Sequence, residues 1–125
     1  MVKYLDMVRA IAKLLKTSFP TYNIYTEEIK QGMKRPAFHI NLMPQSSVNF
    51  NRYYREQRIL VDVSYFSEED PDLQSSQKNL DMANILQNVF NLGIPALDNV
   101  VFLGGLTFNV VDRVLHTTFN QSIVS

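Results

Sequence analysis

From Val2 to Ser18 the apolar residues Tyr4, Leu5, Val8, Ile11, Ala12 and Leu15 recur every three or four positions. Lys3, Asp6, Arg9, Lys13 and Lys16 take the other face, and this division predicts an amphipathic helix. Pro20 ends it, because proline disfavours helical backbone in the residue before it. Asn23 to Glu28 alternates around Ile24 and Thr26 and predicts a strand, with Lys30 to Pro36 as its turn. Ala37 to Leu42 predicts a second strand, ended by Pro44.

Gln45 to Tyr54 reads as a polar, aromatic linker. After it Ile59, Val61, Val63 and Tyr65 fall on one face, with Arg58, Leu60, Asp62, Ser64 and Phe66 on the other, which predicts a long strand. Glu68, Glu69, Asp70, Pro71 and Asp72 predict the start of a second helix. Carboxylates favour the positive N-terminal end of a helix, and proline fits its first turn. This helix runs to about Leu92, presents Met82, Ile85, Leu86, Val89 and Phe90 to the core, and closes at Gly93. A loop through Pro95 and Asn99 leads to two strands, Leu106 to Val111 and Val114 to Asn120, with Asp112 and Arg113 as a two-residue turn. The order α-β-β-β-α-β-β makes an α+β fold, an antiparallel or mixed sheet of about five strands with two helices packed on one face.

The length, 125 residues, suits a single domain over residues 1–125 with one core. Lysine plus arginine and aspartate plus glutamate are equal at 12 each, so no global field gathers nucleic acid or anionic lipid from a distance. Without cysteine there is neither a disulfide framework nor a thiolate metal site. Charges interrupt the first sixteen residues, which excludes a signal peptide or membrane span there and leads us to expect a soluble, cytoplasmic protein.

Candidate chemistry is sparse. His39 and His116 stand at alternating strand positions without a carboxylate motif beside them, and read as strand histidines rather than a metal or catalytic pair. The run Glu68, Glu69, Asp70, Asp72 lacks the glycine-centred spacing of a calcium loop. Gly104 and Gly105 lack the following lysine of a phosphate loop and read as a turn or bulge. No cofactor, metal or enzymatic activity is therefore expected. The candidate surface is Arg52, Tyr53, Tyr54, Arg55 and Arg58, joined by Lys34 and Arg35, with Lys30, from the first turn. Arginine interleaved with tyrosine can stack bases and touch phosphates. The same residue types anchor protein interfaces, and the zero net charge favours that reading. A solvated loop is the third reading.

The succession is familiar: an amphipathic N-terminal helix, Phe38-His39-Ile40-Asn41 with Pro44, then Arg52-Tyr53-Tyr54-Arg55 and Val63-Ser64-Tyr65-Phe66. Met82-Ala83-Asn84-Ile85-Leu86 and Val111-Asp112-Arg113-Val114-Leu115-His116 complete it. In that order, over about Val2 to Phe119, the chain resembles the tail-terminator proteins of tailed bacteriophages and phage-like prophage elements. One departure is Arg113, where the family favours glycine after the aspartate. The resemblance implies a non-catalytic protein that forms a ring, commonly six-fold, on the finished tail tube, stops its growth and provides the head-joining surface. It implies as partners further copies of the chain, the tail-tube protein and head-tail connector proteins, with nucleic acid only as DNA passing through the ring. It places the protein in the host cytoplasm during assembly and then at the head-proximal end of the virion tail. Two alternatives stand beside it: a head-tail connector or head-completion protein, and a small single-stranded nucleic-acid-binding module.

Overall fold

A computed structural model describes residues 4–26, 33–49, 51–67, 75–90 and 100–124. Its elements are α1 (Tyr4–Ser18), β1 (Asn23–Tyr25), β2 (Ala37–Asn49), β3 (Arg55–Phe66), α2 (Ser75–Val89), β4 (Val100–Val111) and β5 (Val114–Val124). They form an α+β fold in which a mixed five-stranded sheet, ordered β1-β2-β3-β5-β4, carries both helices on one face.

Period-two alternation decides which face that is. Ile59, Val61, Val63 and Tyr65 of β3 point to the helices, and the register places Phe38 opposite Tyr65 and Ile40 opposite Val63. Leu115 and Phe119 of β5 continue the same face. The helices answer with rows four residues apart, Met7, Ile11 and Leu15 from α1 and Met82 and Leu86 from α2, continued by Phe90 just past its end, all buried. Each such side chain contributes roughly 1.5–3 kcal/mol by leaving water. Phe19, Tyr22, Phe38 and Tyr65 close one end of this core, with Phe19 and Phe38 centroids 5.0 Å apart and Phe38 and Tyr65 5.5 Å apart.

The helix faces are narrower than the sequence suggests. Met7 lies at the centre of the α1 contact while Leu5 is largely exposed, and Ile85 faces outward from α2. A single i, i+4 row seats on the sheet, and apolar residues one position to either side are left at its margin.

Four strand assignments also change. β1 pairs with β2 in parallel, Asn23 beside Ala37 and Tyr25 beside His39, so the two strands are not the arms of a hairpin. β2 does not end at Pro44. It continues to Asn49 through a register shift between Pro44 and Ser46, because proline is tolerated at an edge strand or bulge where its missing N–H is not needed. β4 starts at Val100, its register shifting between Leu103 and Thr107 around Gly104 and Gly105, and β5 extends to Val124. The Asp112-Arg113 turn is as expected. Both residues have positive φ, 50° and 67°, as a two-residue hairpin matching the sheet's twist requires. The acidic run before α2, Lys30, Leu92, Gly93 and the Pro95 to Asn99 loop lie outside the described residues.

Candidate functional site

The segment read as a linker is instead the far half of a long hairpin. β2 and β3 stay paired from Ala37 and Phe66 to Asn49 and Arg55, and residues 44–49 are exposed throughout. The arm thus runs beyond the helix-covered part of the sheet and ends in a turn at residues 51–54.

That turn is held by one side chain. Asn51 Oδ1 accepts hydrogen bonds from the backbone N–H of Tyr53 at 2.7 Å and of Tyr54 at 3.0 Å, satisfying two amides that the chain reversal leaves unpaired. Below it Arg55 Nε donates to Asn49 Oδ1 at 3.0 Å, joining the two strands at their last pair. The tyrosines are left outside, Tyr53 exposed to 75% and Tyr54 to 58%, and the Arg52 guanidinium lies over the Tyr53 ring at 5.7 Å. Two exposed aromatic rings beside arginines, on a hairpin tip backed by β5 as far as Glu56, suit contact with another macromolecule.

Glu56, one pair in from the tip and opposite Val48, ties the arm to the neighbouring strand β5. Its Oε1 accepts from Arg58 Nε and from Ser122 Oγ, each at 3.0 Å. The Arg58 hydrogen bond, then that of Ser122, hold its carboxyl below the usual range.

Lys34 and Arg35 do not join this group. They precede Ala37, at the opposite end of β2 from Asn49, so a length of about 3.3 Å per residue along a 13-residue strand separates the two basic regions. Arg35 packs over the Phe66 ring at 5.6 Å and donates to the Ser67 carbonyl at 3.4 Å. Lys34 is exposed, and its backbone N–H donates to the Tyr25 hydroxyl at 3.2 Å.

The face of the sheet away from the helices gathers a group that spacing in the sequence did not suggest. His116 Nδ1 is 3.0 Å from Ser64 Oγ and 3.3 Å from both Asp62 oxygens. Cross-strand register, Ser64 beside His116, brings together residues far apart in the chain. Serine, histidine and aspartate are all present, yet both partners meet the same ring nitrogen. A nucleophile relay needs the carboxylate on one nitrogen and the hydroxyl on the other, so this geometry orients the ring rather than activating Ser64. His39 lies in the same cross-strand row, on the other side of Ser64. Among the described residues no cluster of three or more histidine, aspartate or glutamate side chains could hold a metal ion. No described helix is long and apolar enough to cross a membrane.

A family model described as phage tail terminator protein matches residues 6–124 of the chain. No curated protein shows significant similarity to it.

Proposed function

The chain belongs to the phage tail terminator family, and from that premise we propose that it closes as a ring on the end of a finished tail tube, halts tube growth and offers its other surface to the head connector. Membership itself gives the protein a structural part in phage tail assembly, among other tail and head proteins. The observation that carries the finer reading is the match across residues 6–124, which takes in both helices and all five strands almost whole.

The distribution of basic and aromatic groups supports it. A ring between two assemblies needs contact groups at both ends of each subunit. Arg52, Tyr53, Tyr54, Arg55 and Arg58 stand at one end of the β2–β3 ladder, and Lys34 and Arg35 at the other. In this reading the arm engages one neighbour in the tail and the Lys34–Arg35 end meets the other.

The test is to polymerise the cognate tail-tube protein with and without this chain and measure tube lengths by electron microscopy. Substoichiometric addition should stop elongation and leave a ring at one tube end. A folded Tyr53→Ala/Tyr54→Ala variant should cap poorly. Tube lengths unchanged by the wild-type chain would remove the proposal.

A further inference from the structure

β4 is an edge strand with an unguarded sequence. Its 12 residues, VVFLGGLTFNVV, include no charged residue and no proline, and it is about twice the commonest strand length. An open edge offers a row of N–H and C=O groups to any other chain, and proteins that stay monomeric blunt such edges with lysine, proline, bulges or brevity. β4 has a register shift between Leu103 and Thr107, but from Thr107 to Val111 its ladder with β5 is regular. Val110 and Val111, at the end of that regular stretch, are 52% and 48% exposed.

The other edge of the sheet complements it. β1 covers only Ala37 to His39 of β2, so from Ile40 to Asn49 the outer side of β2 pairs with no described residue; Pro44 and the register shift after it interrupt that edge, and Ile40 to Met43 are its regular open rows. β2 and β5 both run antiparallel to β3, and β4 runs antiparallel to β5. β2 and β4 therefore point in opposite directions. A second copy brought alongside with its sheet in the same orientation presents β4 to β2 as an antiparallel pair, the more stable ladder. β1 occupies the first three rows, so the incoming strand is displaced towards the hairpin tip. The smallest displacement that clears β1 and keeps side-chain parity sets Val110 beside Leu42 on the helix side, and Val111 and Asn109 beside Asn41 and Met43 on the other.

We infer that the outer edge of β4 in one copy adds to the free edge of β2 in the next, so that subunits join head to tail through a continuous sheet. Such a heterologous contact repeats by rotation, and a rotation that divides the full circle evenly makes it a ring. A β4-to-β4 contact would stop at a pair and leave β2 uncovered. The inference rests on the ring reading proposed above, and the experiment separates the two.

The chain has no cysteine, so introduced thiols report contacts without background. Met43→Cys and Asn109→Cys proteins are mixed at rising concentration under mild oxidation, with wild-type samples imaged for rings. The expected product is a mixed disulfide dimer in excess of either homotypic dimer. Asn41→Cys reads a register two residues away. Val110→Lys, at a half-exposed site, should keep the far-UV circular dichroism of the wild type and weaken self-association about tenfold or more. Rings without a mixed disulfide would overturn the edge contact and leave the ring reading standing. Dominant Asn109→Cys homodimers, or no association at any concentration, would overturn the edge contact as well, and tube capping would then judge the ring reading alone.

Discussion

The two halves of the β2–β3 hairpin share one hydrogen-bonded ladder and differ in nearly everything else. At the base, Phe38, Ile40, Val61, Val63 and Tyr65 are buried against both helices. At the tip, residues 44–49 are exposed and the strands are joined by backbone pairing, the Asn49–Arg55 hydrogen bond and the Asn51 turn. Backbone hydrogen bonds add little net stability, since water supplies the same partners to the unfolded chain, whereas apolar burial is not recovered there. The base should therefore carry the fold, and the arm should be shaped for contact at small cost to it.

The largest effect expected from this contrast is at the base. Phe38→Ala removes a fully buried ring that touches three other aromatic residues and should destabilise the protein by about 3–5 kcal/mol in urea unfolding. A loss under about 1 kcal/mol would mean that the helices do not seat on the sheet as described.

Next is a change that should strengthen the base. Gln121 is fully buried, and among the described residues neither amide atom has a hydrogen-bond partner. Gln121→Leu should raise stability by about 1–3 kcal/mol, by removing that desolvation cost. Destabilisation instead would show that the amide is paired in solution.

At the tip, Asn51→Ala deletes both side-chain bonds that hold the turn and leaves the backbone bond from Asn51 to the Tyr54 carbonyl. It should cost about 1 kcal/mol locally, read as faster hydrogen exchange at the Tyr53 and Tyr54 amides, while the midpoint of global unfolding hardly moves. A large global loss would erase the distinction between the halves.

Acid should loosen the arm before the core. The folded carboxyl of Glu56 is held below its ordinary value by Arg58 and then Ser122. Its contribution is present above the unfolded value of about 4.3 and is lost as pH falls through the lower folded value. Titration of the Glu56 carboxyl carbon by nuclear magnetic resonance checks the shift, and Glu56→Gln should abolish the acid step in arm protection. An ordinary titration would contradict the anchoring role.

The smallest effect is expected at Val48→Ala, within about 0.5 kcal/mol, because Val48 is half exposed on the arm. A larger loss in dilute monomer would mean that the Val48 side chain itself packs on another part of the chain.

These contrasts also mark what could be read from residues alone. Both helices, the β3 alternation and the Asp112-Arg113 turn were legible, because each is written in local periodicity or backbone conformation. The arm was not. Pro44 looks like a terminator, and only the cross-strand register shows that β2 passes it through a bulge. The candidate surface was half legible: Arg52 to Arg58 share one end of the hairpin, while Lys34 and Arg35 belong to the other. The Ser64–His116–Asp62 group was invisible to spacing, since strand pairing is non-local and the sequence carries no mark of which strands will be neighbours.

By itself the sequence determined an α+β chain of two amphipathic helices and period-two strands, and its order of motifs pointed to the tail-terminator family. Local sterics and hydrophobic periodicity are enough for the helices and strands, while the family came from the resemblance in the order of motifs. Tertiary structure decided the parallel pairing of β1, the order β1-β2-β3-β5-β4, and so which two strands stand at or reach the open edges. Edges follow from which strands are neighbours in space, and that is settled only when the helices cover one face and the remaining strands find their places beside it.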